Sequence, residues 1–173
     1  MFRQINVYPD DWDLQRILWV DDQLNITSYQ LTIATYGTRP APFLAVQVLL
    51  QLVEDEGINY SLAVALLTKG RYVDDIYGGA DNLKKLTFTA LQLVDLCKTG
   101  GFPLAKWQSN HSDLLKTLSP DNTSTESHIF ENVHGKILGL TWHPQSDRFI
   151  FFTKASPRHH YQTDNTLRSS PTF

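Results

Sequence analysis

The sequence predicts an α+β fold, in which helices pack on antiparallel β-structure. Short runs rich in β-branched and aromatic residues indicate strands, and longer, mostly apolar runs indicate helices. Their order along the chain is strand, strand, helix, hairpin, helix, strand, hairpin. A length of 173 residues favours one domain, and 42% apolar with 19% charged residues is typical of a globular protein.

Two strands and a helix are predicted in the first third of the chain. The runs QRILWV at 15–20 and YQLTIATYG at 29–37 are separated by polar residues, which fits two strands joined by a loop. Pro40 and Pro42 then interrupt regular structure. The run FLAVQVLLQLVEDEG predicts a helix that ends at Gly57. Because this run is almost wholly apolar until its acidic end, we expect the helix to be deeply buried.

The middle of the chain predicts a hairpin followed by a second helix. The segment RYVDDIYGGA is too short for a helix and lies between glycines, so Asp74 and Asp75 should sit at or beside a hairpin turn. Their apolar neighbours indicate that both arms are buried. Asp81 should cap a helix that ends at Gly100–Gly101. Cys97 falls on the apolar face of that helix, which favours a core position over a nucleophile.

The last third of the chain is less regular. The run FPLAKW predicts a short strand at 102–107, and the polar residues at 108–132 predict a helical turn with a loop. Apolar runs at 137–142 and 148–152 predict a second hairpin. Residues 153–173 have no apolar period, so we expect a disordered tail that is distinct from a domain at 1–152.

Charge and cysteine content bound the setting of the protein. A net charge of −3 argues against a chain that grips nucleic acid by its phosphates without help. The single cysteine excludes an internal disulfide and favours a reducing compartment. Neither a signal peptide nor an apolar run approaching the roughly 20 residues of a membrane span is present. We therefore expect an intracellular protein of the cytoplasm or nucleus, neither secreted nor membrane-bound.

The adjacent aspartates need a physical reason, because each carboxylate raises the cost of ionising the other. Aspartate accepts turn geometry, so a solvated turn is one interpretation. The other is a bound cation that offsets the repulsion, and a rigidly held tip favours such a Mg²⁺ site. Elsewhere, Asp10, Asp11 and Asp13 fit ordinary capping of a first turn, and the histidines lack metal-ligand spacing.

Five blocks of the sequence carry a resemblance to a known family. They are FRQINVYPDDWDLQRILW, LTIATYGTRPAPFLA, RYVDDIYGGADN, GGFPLAKWQSN and KILGLTWHPQSDRF. In order and spacing they resemble the reverse transcriptases of the Pao/BEL group of long-terminal-repeat retrotransposons, over about residues 1–152. The resemblance implies the palm of a right-hand polymerase, which is an RNA-directed DNA polymerase acting on a primed RNA or DNA template with deoxynucleotides.

The resemblance also implies roles for particular residues. Asp74 and Asp75 would be catalytic ligands of two Mg²⁺ ions, for which Mn²⁺ can substitute. Residues that would contact the nucleotide or template are Phe2, Tyr36, Gly37, Pro42 and Lys106. A hairpin similar to the primer grip would contain Leu138, Gly139 and Trp142.

Two departures from the family pattern bear on activity. The first catalytic aspartate of the family precedes the matched aromatic, Phe2, by five positions and would lie upstream of Met1. The match ends near Phe152, before the thumb, connection and ribonuclease H of the family. We therefore expect a palm fragment that is inactive without the fingers, thumb and ribonuclease H parts of the polyprotein. The alternative is a non-catalytic retroelement remnant that acts as a binding or interaction module.

Overall fold

The computed structural model describes residues 1–118, 135–137 and 140–150 of the chain. These residues form helices and small antiparallel sheets, which confirms the α+β class. The predicted tail at 153–173 and most of the predicted loop at 108–132 lie outside the described residues. The chain divides into two compact units, of which the first comprises Met1–Ile76 with Asp95–Pro103 and the second comprises Tyr77–Val94 with Leu104–Phe173.

Strands β1, Arg16–Val20, and β2, Ile26–Gln30, form an antiparallel hairpin. The second strand therefore begins three residues earlier than predicted and ends at Gln30. The reason is the turn at Asp21, whose carboxylate accepts the backbone N–H groups of Gln23 at 2.9 Å and Asn25 at 2.8 Å. This local closure returns the chain to an extended path at once. The hydrogen bonds, that from the Asn25 N–H above all, also hold the pKa of Asp21 below its ordinary value.

The predicted first helix is α1, Ala41–Glu56. It begins with Pro42 in its first turn, where a missing N–H group costs nothing because it would have no helical partner. Its buried residues recur along one side of the helix, and they are Ala41, Ala45, Leu49 and Leu52. Phe43 is 63% exposed, so the prediction that the whole helix is deeply buried is wrong.

A second helix, α2, Ser61–Lys69, follows α1 and was not predicted. It buries Ala63, Leu66 and Leu67 and packs against α1. Nine residues give little room for a helical period to show, and five of the first seven are Ala or Leu on all sides. The helix ends at Gly70, whose N–H donates to the carbonyl of Leu66 at 2.9 Å. It leads directly into strands β3, Arg71–Tyr72, and β4, Asp75–Ile76.

The predicted second helix is α3, Leu83–Thr99, and its cap differs from the prediction. Asn82 supplies the cap, because its side-chain oxygen accepts the Lys85 N–H at 2.9 Å. The Asp81 carboxylate lies instead 3.8 Å from the Lys85 ammonium. At the other end, Phe102 N–H donates to the Cys97 carbonyl at 2.8 Å and Gly101 N–H to that of Lys98 at 3.0 Å. This pair of bonds is a Schellman motif.

Gly101 has a φ of +76°, and a Cβ placed there would have no atom within 4 Å. Gly101→Ala should therefore lower the free energy of unfolding by about 1–2 kcal/mol through backbone strain alone. Gly101→Asn should lower it less, because asparagine tolerates the left-handed region. Urea unfolding followed by circular dichroism measures both variants. Equal losses for alanine and asparagine would show that the cost does not come from the backbone angle.

The second unit holds the remaining elements. The predicted strand at 102–107 is wrong, because this segment is irregular and Lys106 has a φ of +60°, which no strand residue adopts. Helix α4 covers Ser112–Leu118. Strands β5, Gly135–Ile137, β6, Leu140–His143, and β7, Arg148–Ile150, form an antiparallel sheet in chain order, which contains the predicted hairpin. Among the described residues, no helix is both long and apolar enough to span a bilayer.

Candidate functional site

The aspartate pair lies at the tip of the β3–β4 hairpin. Arg71 is opposite Ile76 and Tyr72 is opposite Asp75, so Val73 and Asp74 form a two-residue turn. Val73 has a φ of +54°, whereas Asp74 does not have a positive φ. A positive φ at the first central residue alone is the pattern of a type II′ turn, which matches the twist of antiparallel strands.

Valine is an unfavourable residue at that position of the turn. Its branched Cβ makes the left-handed region a genuine outlier, with a cost of order 1–3 kcal/mol. Glycine is the usual residue where φ must be positive. The hairpin therefore keeps a strained residue directly before Asp74, and the strain must be offset by contacts elsewhere in the unit.

Helix α2 holds the base of the hairpin. The Arg71 Nε donates to the carbonyl of Leu67 at 2.6 Å, which ties the first residue of β3 to the last turn of the helix. Burial contributes less than predicted: Tyr72 is 55% exposed, and Val73 and Ile76 are only partly buried. The prediction of buried arms is thus wrong. Strands of two residues are too short to bury one face against the core. The last turn of α2 and the hairpin turn itself therefore position the tip.

Both carboxylates at the tip are exposed, and no other described residue hydrogen-bonds or ion-pairs with Asp74. Nowhere in the part of the chain that the structure describes do three or more His, Cys, Asp or Glu side chains gather as a metal site. The pair supplies two oxygen-bearing ligands of the roughly six that Mg²⁺ takes. Carboxylate oxygens are the donors that a hard cation prefers, so the chemistry of the pair fits Mg²⁺ with water or further oxygens in the remaining positions.

Two predicted nucleotide-contacting residues form a ring pair in the same unit. The centroids of Phe2 and Tyr36 are 5.9 Å apart, with an interplanar angle of 69°, which is an edge-to-face arrangement. The rings meet because the chain near Ile5 runs antiparallel to the chain near Ala34, with the Ala34 N–H donating to the Ile5 carbonyl at 2.8 Å. Tyr36 is 85% exposed, which leaves most of its ring open to a ligand.

The turn after Tyr36 carries the next two predicted residues. Gly37 has a φ of +86° with no atom within 4 Å of a Cβ placed there, so a ligand can approach its backbone closely. Pro42 is exposed in the first turn of α1. Arg39, which sequence reasoning did not select, is also exposed between them and adds a cation that can meet a phosphate. The only sequence signal for it is its position in this turn.

Gln15, the residue before β1, supports this turn, and sequence reasoning did not select it. Its side-chain oxygen accepts the Thr35 N–H at 3.3 Å, and its amide nitrogen lies 3.4 Å from the carbonyls of Leu31 and Ile33. The Thr38 hydroxyl donates to the Thr35 carbonyl at 2.7 Å. These bonds hold residues 35–38 in one conformation beside Phe2. Glutamine offers no signal of such a role, because its partners are backbone groups.

The remaining predicted site residues belong to the second unit. Lys106 is exposed. Trp142 is 4% exposed, its indole N–H donates to Asp147 at 3.1 Å, and its ring stacks on Phe149 with centroids 6.5 Å apart. Trp142 therefore holds the β6–β7 hairpin together through packing. Leu138 and Gly139 lie outside the described residues.

Cys97 is fully buried, and burial raises the pKa of its thiol to about 11. We expect the folded chain to react with iodoacetamide at pH 8 about 100-fold more slowly than the chain in urea, because the thiolate is the nucleophile. The neutral thiol is favoured by the fold, so its contribution to stability is complete below the unfolded pKa of about 8.5 and is lost as pH rises towards 11. Equal alkylation rates with and without urea would contradict a buried position.

Comparison with known proteins adds no assignment: no family model matches the chain, and neither a curated protein nor a solved structure matches it.

Proposed function

We propose that this chain is the palm segment of an RNA-directed DNA polymerase of the Pao/BEL type. The observation that carries the proposal is the YVDD hairpin, in which a strained two-residue turn presents the exposed carboxylates of Asp74 and Asp75. A turn that keeps valine at a positive φ lowers stability. Such an arrangement is expected where the geometry serves a ligand, and a divalent cation is a ligand that adjacent carboxylates bind.

In the proposed polymerase, Asp74 and Asp75 hold Mg²⁺, which when bound activates the 3′-hydroxyl of the primer and steadies the leaving pyrophosphate. The exposed position of both carboxylates supports this role, because the metal must also be reached by the nucleotide. Two carboxylates leave most ligand positions of two metal ions unfilled, so Asp74 and Asp75 by themselves are proposed to be insufficient for activity.

The proposed nucleotide contacts involve the ring pair and the turn after it. Phe2 would lie under the sugar and leave no room for a 2′-hydroxyl, while Tyr36, Gly37 and Pro42 would line the nucleotide and template. The exposed Tyr36 ring and the open space at Gly37 support contacts of this kind. In the second unit, Lys106 is proposed to meet the leaving phosphates, and the hairpin with Leu138, Gly139 and Trp142 is proposed to hold the primer.

A metal titration of the 173-residue chain tests the proposal. Mn²⁺ should broaden the amide signals of residues 72–77 selectively, with a dissociation constant on the order of millimolar, because two carboxylates leave most positions to water. Asp74→Asn should abolish the broadening. Asp22→Asn is the matched control, since it removes an exposed turn carboxylate from the β1–β2 loop. Unchanged broadening in Asp74→Asn would place the metal elsewhere and overturn the proposed role.

A further inference from the structure

The β1–β2 hairpin has an open edge. The Leu31 N–H donates to the Gln15 carbonyl at 3.1 Å and the Asp21 N–H to that of Asn25 at 2.9 Å, which determines which residues bond across the pair. Alternate residues bond in an antiparallel ladder, so the backbone groups of Arg16, Leu18 and Val20 point away from β2. No described residue pairs with those groups, since β1 and β2 form a two-stranded sheet.

Both faces of the hairpin carry large apolar side chains, and both faces are exposed. Opposite pairs in the register place Ile17, Trp19 and Tyr29 on one face, and Leu18, Val20 and Ile26 on the other. Leu18 is 71% exposed, Trp19 66% and Ile26 76%. Strands that are apolar on both faces are typical of positions covered on both sides, whereas a hairpin of two strands is marginally stable in water.

The charge around this edge is mainly negative. Residues 9–30 contain five aspartates and one arginine, a net charge of −4 against −3 for the whole chain. The arginine, Arg16, is already paired with Asp13 at 2.7 Å. Asp10 and Asp11 are exposed in the turn of 3-10 helix that precedes β1, and Asp22 is exposed immediately after it. Both ends of the open edge are therefore acidic.

The charge decides between occupants. Nucleic acid phosphates would be repelled by a segment of charge −4. A second copy pairing its β1 antiparallel would set Asp10 and Asp11 against Asp22 of the first, and a parallel pairing would set like ends together. What complements the edge is a strand whose centre is apolar and whose ends are basic.

We propose that the open edge of β1 binds an extended protein segment of about five apolar or β-branched residues flanked by lysine or arginine, by strand addition. The incoming backbone bonds Arg16, Leu18 and Val20, its alternate side chains extend both apolar faces, and its basic ends meet Asp10, Asp11 and Asp22. This surface is independent of the aspartate hairpin, so the proposed polymerase role can fail while this binding stands.

The test uses the 173-residue chain and a fluorescein-labelled nonapeptide with two lysines at each end of a Val-Thr-Val-Thr-Val centre. Fluorescence anisotropy should show binding about tenfold tighter than that of the same peptide with glutamates at its ends. Methylating the backbone nitrogens on the bonding edge of the lysine peptide should abolish binding, because strand addition depends on those N–H groups. Binding that survives methylation would overturn the proposed mode.

Protein variants separate charge from fold. The double variant Asp11→Lys with Asp22→Lys should weaken binding of the lysine peptide about tenfold. Asp55→Lys is the matched control, because it changes an exposed aspartate on α1 and should leave the affinity unchanged. Circular dichroism confirms that the helices persist in each variant. Equal loss in the control overturns the proposal, as does displacement of the bound peptide by an RNA–DNA hybrid or a dimer in sedimentation that Trp19→Ser dissociates.

Discussion

Asp74→Asn should abolish primer extension by a longer polymerase that contains this chain as its proposed palm. The completed protein carries the expected upstream aspartate and fingers, and continues downstream through the thumb. Asparagine keeps the shape of the side chain but removes the charge that offsets the metal. We expect a loss of at least about a thousandfold in extension rate, on the order of 4 kcal/mol of barrier.

Two controls accompany the measurement of the extension rate. Asp22→Asn removes an exposed turn carboxylate far along the sequence and should leave the extension rate unchanged. The 173-residue chain alone should extend no primer with either Mg²⁺ or Mn²⁺, since the two carboxylates of the proposed site do not hold two metal ions by themselves. Extension by this chain alone would contradict the proposal and would mean that another carboxylate, such as Asp10 or Asp11, completes the site.

Leu67→Ala should produce a large loss of stability in the first unit. The Leu67 side chain is fully buried in α2, and its backbone carbonyl accepts the Arg71 side chain at the base of the aspartate hairpin. Truncation leaves a cavity that the α1–α2 packing can close only in part. We expect the free energy of unfolding to fall by about 3–4 kcal/mol, measured by urea unfolding.

Leu62→Ala is the control for this cavity, because Leu62 belongs to the same helix and is 38% exposed. It changes the same atoms with the same helix propensity, and it should cost about 1 kcal/mol or less. A cost in Leu62→Ala that equals the cost in Leu67→Ala would show that the leucines act through the helix itself. It would then contradict the assignment of Leu67 to the core.

Signals that act within one turn of the chain were reliable guides to the fold. Glycines follow the ends of α1 and α3 where the sequence predicted, because their backbone preferences are local, whereas α1 begins at Ala41 and contains Pro42, which was predicted to precede the helix. The predicted start of β2 was wrong, since the start depends on three hydrogen bonds made by Asp21. Helix α2 escaped prediction because leucine and alanine on every side hide its period. A strand at Lys106 was predicted from apolar neighbours, and the backbone angle there excludes it.

The candidate site divides in the same way. The turn at Asp74 was predictable from two carboxylates between short β-forming runs, whereas the positive φ of Val73 gives no sequence signal, because valine is the residue least expected there. The contact of Phe2 with Tyr36 joins residues far apart in the chain and depends on the pairing of segments near Ile5 and Ala34. Hydrophobic periodicity carries no information about the backbone angle of Val73 or about this ring contact.

The positive φ of Val73 has a consequence for substitution at the tip. Glycine or asparagine would occupy this conformation with less strain, so relief of the strain at residue 73 would by itself raise the melting temperature. Both residues also visit many other conformations, whereas a branched side chain confines backbone and χ1 to narrow wells. Valine thus restricts the backbone at the tip, and this restriction narrows the range of positions that the two carboxylates sample.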